Sequence, residues 1–167
     1  MAVYGSRAAA DTYHSDRGNT TWTGADAVKD QALLRASEWV DRAFMASFPG
    51  EKTDGRASTT PQVREWPRID AYDIEGDLVP SDTTPTEVEN ATYEAALREI
   101  VTPGSLSPDY DPSGQVRREK VDVIEVEYTA GHGPDSVRPL FPIIAGILAP
   151  ILTRNTGSYL AGRSIRI

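Results

Sequence analysis

From Asp26 to Met45 apolar residues return every three or four positions: Val28, Ala32, Leu33, Ala36, Trp39, Val40, Ala43 and Phe44. Asp26, Lys29, Asp30, Arg35, Glu38 and Asp41 fall mainly between them, which predicts an amphipathic helix of about five turns. Thr23 or Asp26 is its candidate cap, and Ser47 to Gly50, with Pro49, cannot continue it. So wide a stripe needs cover on more than one side, and the segment is expected to be the central helix of a small bundle.

The other elements are candidates for that cover. After a short irregular lead, Ser6 caps a helix through Ala8, Ala9, Ala10, Tyr13 and His14, stopped by Gly18 and Asn19, and Trp22 is expected to pack back on the main helix. Gly50 to Thr60 reads as a flexible surface loop, and Pro49 to Arg68 as a whole has little to bury. Trp66 before Pro67 anchors the chain again in extended geometry, and Tyr72 to Val79 reads as two extended pieces about a turn at Glu75 and Gly76. Thr84, Pro85, Thr86 and Glu87 spell a capping box with proline at the first helical position. The helix it opens carries Val88, Ala91, Tyr93, Ala95, Ala96, Leu97, Ile100 and Val101 and ends at Pro103 and Gly104.

Val116 to Val121 and Val123 to Tyr128 are strand-like, either a hairpin bent at Val121 and Asp122 or one kinked strand. Arg138 to Thr153 is apolar nearly all round, which predicts a short helix buried on all sides, with Pro142 in its first turn and Pro150 kinking or ending it. The expected fold is therefore mainly α: a helical bundle over residues 1–154, an inserted β-hairpin or extended element around 114–130, and a C-terminal extended arm over 155–167.

Composition adds that 167 residues suit one domain, and that 12 prolines and 13 glycines interrupt a compact part with long loops or arms. There is no cysteine, hence no disulfide framework or thiolate chemistry. No signal peptide opens the chain, and Leu140 to Leu152 is too short and too proline-broken to span a bilayer, so a soluble protein made in the cytoplasm is expected. The formal charge of −8 argues against a general nucleic-acid binder. Its distribution is uneven: residues 136–167 hold Arg138, Arg154, Arg163 and Arg166 with no acid, against all 25 acids in residues 1–135. An acidic body with a basic, partly apolar end looks like a chain that docks that end on something else.

Catalytic and metal-binding patterns are not found. His14 and His132 stand alone and are read as surface or loop-capping residues. Asp70, Asp73, Glu75, Asp77 and Asp82 do not follow the twelve-residue calcium loop and are read as a solvated acidic turn. Trp22, Trp39 and Trp66 flank amphipathic segments and are expected in the core. Arg117, Arg118 and Lys120 form the only local basic cluster; Glu119 and Asp122 dilute it to a solvated strand face. No cofactor is expected.

The order of landmarks nevertheless resembles a known family. Tyr13-His14-Ser15-Asp16-Arg17-Gly18-Asn19 precedes Trp22 and Ala32-Leu33-Leu34-Arg35-Ala36. Glu65-Trp66-Pro67-Arg68, the Tyr72–Val79 turn, a proline-started alanine helix, the Val116–Tyr128 strands and an apolar last helix follow. The set resembles the small tailed-phage family labelled DnaT-like single-stranded-DNA-binding protein, whose members look like head–tail connector (adaptor, head-completion) proteins. The resemblance covers residues 8–153 and implies a non-enzymatic virion protein of the head–tail junction. Its expected partners are the portal, a tail-side stopper or terminator protein, and further copies of itself in a ring of about twelve, through which DNA passes without specific binding; no membrane partner is implied. On that reading Tyr159, Leu160, Arg163, Ile165, Arg166 and Ile167 form the portal-binding arm, and Arg117, Arg118, Lys120, Ile124, Val126 and Tyr128 the contact with a neighbouring subunit or tail component. The alternative takes the label literally: a single-stranded-DNA binder using Arg117, Arg118, Lys120 and exposed aromatics such as Tyr128.

Overall fold

In the computed structural model, which describes residues 2–56, 58–109, 118–121, 124–127, 139 and 141–153, the predicted periodicities become α1 (Arg7–Asp16), α2 (Asp26–Phe44) and α3 (Thr86–Val101). α4 (Pro142–Leu148) passes into a 3-10 turn, Ala149–Ile151. Two short antiparallel pairs interrupt the helices: β1 (Glu51–Lys52) with β2 (Arg68–Ile69), and β3 (Arg118–Val121) with β4 (Ile124–Glu127). The chain is mainly helical with a two-stranded hairpin, as the pattern requires.

α2 and α3 form the most extensive helix pair, with α1 against both and α4 against α3. Ala32 and Ala36 of α2 and Ala91, Ala95 and Ala96 of α3 are fully buried, and side chains this small let two backbones approach closely. Leu33, Val40, Val88, Ile144 and Leu148 fill the space around them. Each such residue contributes roughly 1.5–3 kcal/mol by leaving water. Val28, placed on the stripe by its spacing, is instead 45% exposed.

Ser6 caps α1 as expected, its hydroxyl accepting from Ala9 N at 3.2 Å, and Gly18 ends the helix at φ +65°. The other two caps differ from their spelling. α2 is capped by Ala25 and α3 by Pro85, neither with a side-chain hydrogen bond, so Thr23, Asp26 and the Thr84–Glu87 box do not act as predicted. In both cases the residue directly before the helix is extended and its carbonyl accepts the first intrahelical hydrogen bonds. Ala25 O accepts from Val28 and Lys29, and Pro85 O from Val88 and Glu89. Glu87 and Glu89 still favour the positive end of α3.

Three stretches read as peripheral turn out to be structural. The N-terminal lead carries Tyr4, only 2% exposed, whose hydroxyl donates to Asp41 of α2 and accepts from Trp66 N. Arg64 is buried beside the same carboxylate, its Nε donating to Ala2 O at 2.8 Å. The Gly50–Thr60 loop is not free: β1 lies in it, and buried Arg68 fastens its entry, donating to Pro49 O at 2.6 Å and Gly50 O at 2.7 Å. The stretch to Arg68 does bury side chains, namely Arg64, Trp66 and Arg68.

The last helix is also corrected. It is not buried all round: Ile144, Leu148 and Ile151 face the core while Ile143 is 49% exposed, because the element has a bundle on one side only. Pro142 does occupy its first turn, and the turn containing Pro150 is 3-10 rather than α. The expected arm, 155–167, lies outside the described residues.

Candidate nucleic-acid interface

The 116–128 segment resolves to a hairpin. Its register sets Arg118 opposite Glu127, Glu119 opposite Val126, Lys120 opposite Glu125 and Val121 opposite Ile124. Opposed positions of an antiparallel pair share a face, and alternate positions along a strand return to it. Arg118, Lys120, Glu125 and Glu127 therefore fall on one face with no net formal charge. Glu119, Val121, Ile124 and Val126 fall on the other. The interface set expected from sequence is split by this register: the two bases are on one side, Ile124 and Val126 on the other. Arg117 and Tyr128, and the arm residues Tyr159, Leu160, Arg163, Ile165, Arg166 and Ile167, lie outside the described residues.

On the described part of the bundle, most positive charge already has a carboxylate. Arg7 pairs with Asp26 and Asp30, Lys29 with Asp11 and Arg35 with Glu99. Arg42 pairs with Glu38, Lys52 and Arg68 with Glu65, Arg64 with Asp41 and Arg98 with Glu94. Of the remaining two, Arg17 lies 3.5 Å above the Tyr13 ring, and Arg56 is exposed in the β1–β2 loop. Residues 1–109 hold ten bases and nineteen acids, so a phosphate approaching this surface meets carboxylate at nearly every cation.

Base stacking is equally restricted. Trp22 and Trp39 are 8% exposed and Trp66 2%, so all three are core residues as predicted. Among the described aromatics Tyr72 is the one with a large exposed surface, 53%, and it stands in an acidic turn.

His14 is neither on the surface nor a free ligand. It is 1% exposed; Nε2–H donates to Tyr93 O at 3.2 Å and Nδ1 accepts from the Asn19 amide at 3.0 Å. A carbonyl can only accept, so Nε2 carries a proton, and the Asn19 amide N–H donating to Nδ1 leaves the ring neutral. Burial holds His14 below its ordinary value. Both nitrogens are committed to fastening α1 and the turn after it to α3. Next to it, Tyr13 donates to buried Glu94 at 3.1 Å, and burial together with the Glu94 charge pushes its phenol up to about 12. Isolated histidines give no periodic signal, which is why the spacing misplaced this one.

The acidic turn is as solvated as expected. Asp73 Oδ1 accepts from Glu75 N and Asp77 N, both at 2.9 Å, and Tyr72 bridges to Leu78 across the turn. Among the described residues no group of three or more metal-ligating side chains converges.

The chain matches, over residues 3–167, the family described as "Putative DnaT-like ssDNA binding protein". No curated protein and no solved structure matches it. The family description names single-stranded-DNA binding, not a catalysed reaction and not a virion part. It overturns the head–tail adaptor expectation and, with it, the portal and tail-connector partners, the twelve-membered ring and DNA transit without binding. The adaptor expectation rested on the resemblance in the order of landmarks, with the acidic body taken as agreeing with it.

Proposed function

The chain belongs to the DnaT-like ssDNA-binding family, and from that premise we propose that it binds single-stranded DNA without strong sequence preference, by contact rather than turnover. The family match over residues 3–167 carries this reading. The charge map supports a division of labour. The described bundle has committed its cations to carboxylates, whereas residues 136–167 carry four arginines and no acid. The bundle is the scaffold and the C-terminal segment supplies phosphate contacts, with Arg117, Arg118 and Lys120 of the hairpin region as second contributors. Tyr128 and Tyr159 are the stacking candidates nearest these cations in sequence.

A fluorescence titration of the purified chain with a labelled oligonucleotide across a salt series tests it. If each of the four arginines neutralises one phosphate, log K falls against log salt with a slope of about −3; with the three hairpin bases added it approaches about −5. Binding tighter than about micromolar at physiological salt with such a slope is expected. Absence of binding even at low salt overturns the proposal.

A further inference from the structure

One apolar strip on the described surface stands without cover. Tyr72, Ile74 and Leu78 are 53%, 46% and 61% exposed, and the Tyr72–Leu78 bridge sets two of them side by side. Around them stand exposed Asp70, Glu75 and Asp77, in a stretch from Ile69 to Leu97 that contains eight acids and no base. Such a surface rejects phosphate and favours a peptide that is apolar and positively charged.

Residues 154–167 have that chemistry. They carry Arg154, Arg163 and Arg166 with Tyr159, Leu160, Ile165 and Ile167, and no acid. They also begin in the right place. Ile74 N donates to Pro150 O at 2.8 Å, so the acidic turn already touches the 3-10 turn, and the described chain ends three residues later at Thr153, which donates to Ser47 O at 2.8 Å. Fourteen extended residues reach roughly 46 Å at about 3.3 Å each, ample to return to the turn.

We propose that segment 154–167 docks in cis on the Tyr72–Leu78 turn, its arginines against Asp70, Glu75 and Asp77 and its apolar side chains on the exposed strip. A short tether gives the tail a millimolar-range effective concentration at the turn, so weak contacts suffice. The docking itself needs no DNA. Its consequence rests on the DNA-binding reading: the turn and the strand then compete for the same arginines, and a tail docked for about nine-tenths of the time weakens apparent DNA affinity about tenfold.

Because the chain has no cysteine, Ser158→Cys gives a single site for a nitroxide label on the full-length protein. In a nitrogen-15 spectrum at about 0.01 M salt, where charges act over about 30 Å, the amides of Ile74, Glu75 and Gly76 should broaden. The broadening should vanish near 1 M salt and in the variant carrying Asp70→Asn, Glu75→Gln and Asp77→Asn. Sharp amides at low salt overturn the docking, and broadening that survives both treatments overturns its electrostatic basis. Spin-labelled, unenriched chains mixed with unlabelled nitrogen-15 chains test the cis assignment; broadening of equal size there overturns it in favour of a second copy's tail. In the DNA titration the neutralised turn should raise affinity about tenfold, against little change when Asp16→Asn and Asp109→Asn remove two exposed charges elsewhere. Equal gains from both variants overturn the competition while leaving DNA binding intact; no binding by any variant removes the DNA reading and leaves the docking to the spectra.

Discussion

Replacing Asp41 with alanine tests the least expected feature of the fold. Its carboxylate, 13% exposed, accepts from the Tyr4 hydroxyl, from Arg64 Nη1 at 3.3 Å and from Glu65 N at 3.3 Å. Burial holds its pKa above the ordinary carboxylate value, and these donors offset only part of that rise. Without it the Tyr4 proton and the Glu65 amide each lose an acceptor, at about 1 kcal/mol apiece. Arg64, 8% exposed, keeps Ala2 O but faces only Glu38, at 3.8 Å, as counter-charge. Leaving that guanidinium short of charge adds about 2 kcal/mol. Asp41→Ala should therefore destabilise by about 4 kcal/mol, lowering Tm by about 8–16 °C at this size. Asp41→Asn retains an acceptor for Tyr4 and Glu65 but leaves Arg64 equally short of counter-charge, so its loss should be about 2 kcal/mol. Urea unfolding followed by circular dichroism measures both, and Tyr4→Phe combined with Asp41→Ala should cost less than the sum of the two. Equal losses for the alanine and asparagine variants would refute the assignment of this carboxylate as a shared acceptor.

The remaining predictions address pH, backbone and charge. His14 is held neutral by the fold, with its pKa below 6.5 because of burial, so its contribution is intact above pH about 6.5 and declines as pH falls below that value, where the unfolded chain takes up the proton. Wild type should lose stability between pH 7.5 and 5.5 more steeply than His14→Gln, and parallel pH profiles would count against it. Gly50 sits at φ +64° with a would-be Cβ 2.1 Å from Ile69 O and 2.7 Å from Ala71 N. Gly50→Ala should therefore displace β2 at a loss of about 3 kcal/mol, read by urea unfolding. Removing Arg154, Arg163 and Arg166 together should flatten the salt dependence of DNA binding by about 2 in slope while leaving the helical circular dichroism unchanged.

Sequence reasoning located what repeats and missed what does not. α1, α2 and α3 appear at their predicted places because burial on one face of a helix forces apolar residues into a period near 3.6. Tyr4, Arg64 and Arg68 lie in irregular chain, where a single buried residue leaves no pattern, and their burial depends on partners dozens of positions away. The caps of α2 and α3 differ for another reason: a cap motif identifies a residue able to accept, but the helix starts where the backbone turns, here after Ala25 and Pro85, and neither makes a side-chain cap bond. The hairpin was visible as two strand-like runs, yet only its register shows that Arg118 and Lys120 oppose Glu127 and Glu125.

The same separation of local from global limits what a net charge can exclude. Screening at physiological salt confines the field of an exposed charge to about 8 Å. A carboxylate therefore has little effect on a cation more than a screening length away, and −8 is not a potential that any one phosphate experiences. What a phosphate experiences is its own neighbourhood: on the described bundle mostly paired cations, and in the last 32 residues a sequence with four arginines and no acid. Repulsion becomes relevant only if those arginines are brought against the body's acids, and there it acts as competition for the tail rather than as a general barrier to DNA. An acidic protein can bind an acidic polymer on these terms, provided that its cations and its acids are kept apart at the moment of contact.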